Sequence, residues 1–182
     1  MKDSKKLSDK QILTLAQKIK PKVIFKVKHL TQSGYNKLNT SFNANELKML
    51  LHMSAINDLE NYADHVDLII IDAFSNTQAI DKYQDKLNKS SLDVKSFRHK
   101  YIYVPKGESE HVSVAAASIL AREKLIELMK AQDKEWNMHF PLGTNTIVED
   151  FTMKFVSKYG REKLPKVAKI SFKTTEKLFG KE

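Results

Sequence analysis

The sequence predicts an α/β fold, on three observations. Strand-like and helix-like patterns alternate along the whole chain. The run Val66-Asp67-Leu68-Ile69-Ile70-Ile71-Asp72 is short, β-branched and almost continuously apolar, as in a buried strand in a parallel setting. Segments with the spacing of helix-opening capping boxes stand before amphipathic stretches. With 182 residues, 41% of them hydrophobic, the chain can bury a substantial core in one or two domains.

Ser8-Asp9-Lys10-Gln11 is the first capping box and opens a helix with Ile12, Leu15, Ala16 and Ile19 on one stripe. Pro21 ends it. Lys22 to Leu30 reads as a strand, with Val23, Phe25 and Val27 on one face and mostly lysines opposite. Thr31 to Phe42 reads as a polar link. A second capping box, Asn43 to Glu46, opens a helix that turns Leu47, Leu50, Leu51, Ala55 and Leu59 inward. After the Val66–Asp72 strand comes a polar helix around Thr77 to Leu87, with Lys82, Lys86 and Lys89 toward solvent. His99 to Val104 is a strand in which Tyr alternates with Ile and Val. Lys106 to His111 is a loop.

A long helix begins near His111, small-faced through Ala115, Ala116, Ala117 and Ser118, then amphipathic through Leu125, Leu128 and Met129. Phe140-Pro141-Leu142-Gly143 is a turn. Thr146 to Glu149 caps a helix carrying Phe151, Phe155, Val156 and Tyr159, whose helical spacing marks them as core. Gly160 stops it. A short helix and the basic tail Lys169 to Lys181 follow. Three strands are few for this many helices.

Composition narrows the partners. Lys and Arg number 31 against 22 Asp and Glu, a net charge of +9 that favours polyanions, with a solvated lysine-rich surface as the alternative. The absence of cysteine excludes disulfides and thiolate metal sites and fits a reducing compartment. The uncharged run Val112 to Ala121 is too short to cross a bilayer, and Met1 to Lys6 has no apolar stretch behind it. A soluble, cytoplasmic protein is expected.

Asp72 is the sharpest single residue. A carboxylate at the carboxyl end of a buried strand stands where open α/β sheets present ligand and metal groups. It can equally cap the following turn. Asp67, at the other end of the run, reads as a surface residue. Glu108 follows the next strand, 36 residues on, just before the small-faced helix. Two carboxylates at successive strand ends can converge on one divalent cation, and such oxygen donors suit Mg²⁺ or Mn²⁺ rather than Zn²⁺. Glu110 competes with Glu108 for that part. The six histidines show no zinc-hydrolase spacing, and neither a glycine-rich phosphate loop nor a nucleophile elbow is present. Ser118 reads as a packing residue.

Several strings, in order, resemble one family. Asp3-Ser4-Lys5-Lys6-Leu7-Ser8-Asp9 resembles the D-S-K-x-L segment of the type 2 ribonucleases H, and LIIIDAF, Leu68 to Phe74, resembles their catalytic strand. Val114 to Arg122 is similar to their V-A-A-A-S-I-x-A-[RK] helix, the most specific of these strings. Tyr35-Asn36, Asn43-Ala44-Asn45 with His52, Phe140-Pro141-Leu142-Gly143 and Val167 to Thr175 resemble the HIII branch.

The resemblance implies a ribonuclease H-like mixed sheet flanked by helices, and an endonuclease that cuts the RNA strand of RNA–DNA hybrids. It also implies four carboxylates holding two Mg²⁺ or Mn²⁺ ions. Asp72 falls on the third and Glu108 on the fourth, where Lys106-Gly107-Glu108 matches a K-A-[DE] pattern. The family's first two carboxylates lie in a D-E-x-G segment before the D-S-K string, whereas no Asp-Glu dipeptide occurs in this sequence, and Ser171 stands where the tail motif has His. On this resemblance residues 1–182 are the carboxyl-terminal portion of a catalytic domain, incomplete at its amino-terminal side. The expected explanations are a truncated gene, a misplaced start, or a split enzyme completed by an upstream protein fragment and otherwise monomeric. The alternative is a catalytically inactive nucleic-acid-binding remnant.

Overall fold

The structure is a computed structural model, and it describes residues 7–63 and 65–180. Asp3 to Lys6 of the D-S-K string lie outside the described residues. The chain divides into two compact units, residues 1–29 with 44–127 and residues 30–43 with 128–182.

In the first unit, α1 (Asp9–Ile19) is opened by the expected capping box. Gln11 N–H donates to Ser8 Oγ at 3.3 Å, and Ser8 N–H donates to Gln11 Oε1 at 2.9 Å. Its apolar stripe buries Ile12 and Ala16 against Ile119, Leu120 and Ile126 of α6 (Val112–Trp136). Full burial of one such isoleucine contributes about 1.5–3 kcal/mol. Charged pairs flank the seam, Lys20 Nζ to Glu123 Oε1 at 2.8 Å and Arg122 Nη2 to Asp9 Oδ1 at 3.3 Å. α3 (Ala44–Glu60) buries Leu47, Met49, Leu50 and Met53 and packs on α4 (Thr77–Asn88), which buries Ile80 and Leu87. Asn76 caps α4 by accepting from Ala79 N–H at 2.9 Å.

The sheet pairs β1 (Ile69–Asp72) with β2 (Tyr101–Val104) in parallel, in the register Ile69↔Tyr101, Ile70↔Ile102, Ile71↔Tyr103 and Asp72↔Val104. The α/β class and both strands follow the sequence reading. Several expectations differ. Lys22–Leu30 forms no strand: Val23 is extended, with φ −139° and ψ 148°, but its segment joins no ladder among the described residues, and Ile24 is 68% exposed. An alternating pattern supplies a face and not the hydrogen-bonding partner that a strand needs. For the same reason only Ile71 of the apolar run is fully buried, because a two-stranded sheet leaves edges uncovered. Lys106–His111 is also more than a loop, since it contains the helical turn α5 (Gly107–Glu110).

The second unit begins in the expected polar link, which is in fact helical. α2 (Gln32–Leu38) is capped by Thr31, whose Oγ1 accepts from Gly34 N–H at 3.0 Å. Its Gly34 and Asn36 are weak helix formers, so tertiary bonds decide the outcome. Tyr35 is buried, and the Asn36 amide donates to Pro165 O at 2.9 Å and Ala168 O at 2.8 Å while accepting from Ile170 N–H at 3.0 Å. Phe140, Phe155, Leu164 and Val167 form the core, with Trp136 edge-on to Phe155 at 5.2 Å. α7 (Thr146–Tyr159) is capped by Asn145, one residue before the expected position, and ends at Gly160 with φ 88°. α8 (Leu164–Val167) and α9 (Lys173–Phe179) follow. Among the described residues no helix is long and apolar enough to cross a membrane.

Candidate metal centre

β1 carries Asp72 to its carboxyl end, in register with Val104, and Ala73 N–H donates to Val104 O at 3.0 Å. Beyond β2 the chain reverses at Lys106, which adopts the left-handed conformation with φ 56° and ψ 34°. The reversal aims Gly107 N–H at Asp72 Oδ1, 2.8 Å away. Asp72 and the residue before Glu108 are thus joined directly. α5 is closed by Ser109 N–H to Lys106 O at 2.9 Å and His111 N–H to Gly107 O at 2.8 Å, after which α6 starts. Ser118, one helical stretch into α6, donates its hydroxyl to Glu108 Oε2 at 3.1 Å.

Asp72 and Glu108 are half-buried, whereas Glu110 is exposed, as is Asp67, which pairs with His65 at 2.9 Å. Gly107 is buried. A Cβ there would meet Val114 Cγ1 at 3.5 Å and Asp72 Oδ1 at 3.6 Å, ordinary contacts.

Two contributors escape sequence reasoning, and a third is named among the motifs without a role. Ser118 is more than a packing residue, and Lys106 gives no local sign of its backbone conformation. The third is His52 on α3. Its ring stacks on Phe74, two residues past Asp72, with centroids 5.6 Å apart and planes 5° from parallel, and Phe74 stacks in turn on Tyr83. Burial pushes the His52 pKa below 6.5; the Asp72 charge opposes this shift and Lys48 assists it. Only the V-A-A-A-S string, read as a hydroxyl facing the Glu108 loop, could have pointed to Ser118. No signal in the sequence connects His52 to Asp72.

The donor set is two carboxylates, hard oxygen ligands of the kind that Mg²⁺ and Mn²⁺ take. Among the described residues no group of three or more His, Cys, Asp or Glu is placed to hold a metal ion. Asp72 and Glu108 therefore fit part of a divalent-cation shell.

Residues 1–175 match the family model described as Ribonuclease HII. The chain belongs to the ribonuclease HII family. Within it, the chain is 34% identical over 182 residues to Ribonuclease HIII of Bacillus cereus strain 03BB102, covering 98% of this chain and 57% of that protein. It is 30% identical over 179 residues to Ribonuclease HIII of Ureaplasma parvum serovar 3, covering 97% and 55%. Among solved structures it resembles Bst-RNase HIII in complex with Mn²⁺, with a TM-score of 0.84, 30% identity, and coverage of 97% of this chain and 56% of that one. The chain thus spans a little over half the length of these relatives. The ribonuclease H-like fold expected from the motifs is the fold of these neighbours.

Proposed function

We propose that this member of the ribonuclease HII family supplies the Asp72 and Glu108 ligands of a divalent-metal centre that cleaves the RNA strand of RNA–DNA hybrids. The observation that carries the reading is the hydrogen bond from Gly107 N–H to Asp72 Oδ1, which locks the end of β1 to the residue before Glu108. Asp72 and Glu108 would hold Mg²⁺ or Mn²⁺, as their oxygen chemistry suits and as the Mn²⁺ complex of the Bst relative supports. When bound, the metal supplies Lewis-acid charge and an activated water for attack on a phosphodiester. The chain's own groups do the rest. Gly107 N–H and the Ser118 hydroxyl fix the two carboxylates, and the excess of lysine draws in the phosphate backbone. The 2′-hydroxyl distinguishes the RNA strand.

On this reading residues 1–182 act as the carboxyl-terminal portion of a catalytic domain in the cytoplasm, and the remaining carboxylates lie outside these residues, in the same chain or in a separate fragment. One observation favours a second reading, a catalytically inactive nucleic-acid-binding remnant: two carboxylates alone do not close a metal shell among the described residues. A labelled hybrid, incubated with Mg²⁺ or Mn²⁺ and the chain, separates them. The chain alone is expected to cleave poorly. Adding the amino-terminal part of a relative such as the Bacillus cereus enzyme restores cleavage, which Asp72→Asn abolishes and Glu108→Gln reduces. Robust cleavage by the chain alone, abolished by Asp72→Asn, overturns the need for a second fragment. Hybrid binding without cleavage in any combination establishes the remnant.

A further inference from the structure

We propose that Lys106 is a positioning residue, acting through its left-handed backbone and not through its charge, that sets Asp72 and Glu108 together for a divalent cation. The inference rests on the metal reading above and adds to it a residue with no ligand role of its own.

Among the described residues only Lys106 and Asn137 are non-glycine residues at positive φ. Asn137 follows the end of α6, and asparagine tolerates this conformation because its short polar side chain bonds locally. A lysine has no such compensation, so its left-handed state at φ 56° is held by the surrounding structure. What holds it is visible on both sides. Val104, two residues before, is paired with Asp72 in the ladder. Gly107, one residue after, donates to Asp72 Oδ1 at 2.8 Å, and Ser109 N–H closes back on Lys106 O at 2.9 Å. A right-handed or extended residue at this position would direct Gly107 N–H away from Asp72 and carry Glu108 away from the Ser118 hydroxyl at 3.1 Å. One backbone conformation therefore fixes both carboxylates. The Lys106 side chain is exposed and makes no ion pair among the described residues, so its charge has no structural task there.

The test compares substitutions by their tolerance of the left-handed region. Mn²⁺ affinity of the purified chain is measured by electron paramagnetic resonance of free Mn²⁺, alongside thermal melting and hydrogen exchange of the Gly107 amide. Lys106→Asn, Lys106→Gly and Lys106→Arg should hold the turn, keep Mn²⁺ affinity within about twofold and leave the Gly107 amide protected. Lys106→Val, which disfavours positive φ, should expose that amide and weaken Mn²⁺ binding by about tenfold, the scale on which partners of metal ligands act. If Lys106→Val does not fold, Lys106→Leu takes its place with a smaller effect in the same direction. Asp72→Asn defines the site-specific part of the binding. If Asp72→Asn leaves Mn²⁺ affinity unchanged, the metal reading fails, and the Gly107 amide alone decides the positioning role. Equal Gly107 protection and equal Mn²⁺ affinity in the valine or leucine variant overturn the proposal. So does a loss in Lys106→Asn and Lys106→Gly that Lys106→Arg escapes, because charge would then be the cause.

Discussion

Replacing Glu60 by alanine should destabilise the first unit by releasing the start of β2. Glu60, the last residue of α3, is 6% exposed, and its Oε1 accepts from Arg98 N–H at 2.8 Å, His99 N–H at 3.2 Å and His99 Nδ1 at 2.9 Å. Its Oε2 lies 3.7 Å from Arg98 Nε. The next residue, Lys100, accepts from Ile69 N–H at 2.9 Å, so this clamp fixes where β2 meets β1 and hence the Asp72↔Val104 register. Alanine leaves two backbone N–H groups without their charged acceptor. Hydrogen bonds to charged groups contribute about 1.5–3 kcal/mol each, and the exposed Arg98 head can turn to water, so the loss is about 3 kcal/mol. For a chain of this length that is a fall in Tm of about 9 °C. Glu60→Gln keeps an acceptor oxygen and loses the charge, at about 1 kcal/mol.

The pH dependence has a definite sign. Burial raises the Glu60 pKa, but the His99 hydrogen bond, the Arg98 and His99 amides and the Arg98 charge outweigh it and hold the carboxyl below its ordinary 4.5. A depressed carboxyl contributes stability that is present above its unfolded value and lost as pH falls through the folded one. The Glu60→Gln deficit should therefore be full at neutral pH and fade as pH falls below the ordinary 4.5 and through the lower folded value. Melts followed by circular dichroism across this pH range check this. A Glu60→Ala chain melting within about 1 °C of the parent, or a glutamine deficit independent of pH, would refute the reasoning.

Other consequences can be measured with the same protein. Asn36→Ala removes three part-buried hydrogen bonds to the 165–170 segment and should cost the second unit about 3 kcal/mol; unfolding followed by the fluorescence of Trp136, the chain's only tryptophan, reports it directly. Gly107→Ala should be tolerated, with Tm unchanged within about 2 °C, because a Cβ there meets only ordinary contacts. Hybrid binding, followed by fluorescence anisotropy, should weaken with salt on a log–log slope of about −0.9 per phosphate neutralised, whatever the sequence; a flat response between low and moderate salt rules out a lysine–phosphate interface. Asp72→Asn should remove the specific part of Mn²⁺ binding, which calorimetry should find weak; sub-micromolar affinity would mean that further ligands exist.

Much of the fold was legible because local chemistry and tertiary structure agree. The Ser8 box and the β-branched run of β1 say locally which elements form, whereas the small face of α6 buries only Ala115 of its four small residues and leaves Ala117 exposed. The failures share one cause. Lys22–Leu30 has a strand's pattern without a partner to bond, and Gln32–Leu38 has a loop's composition but is held helical by contacts more than a hundred residues away, chiefly from Asn36 to the 165–170 segment. Periodicity reports which face is apolar and cannot report which backbone groups find mates.

The candidate site follows the same division, and the hidden part explains the visible one. The end of an apolar strand singled out Asp72, with capping of the next turn as an equal reading, and the segment after the next strand singled out Glu108. The sequence could not show what Asp72 bonds. It accepts a neutral amide from Gly107 and makes no ion pair with Lys or Arg among the described residues. The titratable group that feels it, His52, is pushed below 6.5 by burial, with Lys48 assisting, against the pull of Asp72. At neutral pH His52 is therefore mainly uncharged and does not cancel the carboxylate. On the proposed metal reading, a half-buried carboxylate bonded by a backbone dipole, with no basic partner among the described residues, leaves its other oxygen for an external cation. On the same reading the Lys106 backbone and the Ser118 hydroxyl order the two carboxylates, and the exposed Lys106 side chain makes no ion pair among the described residues.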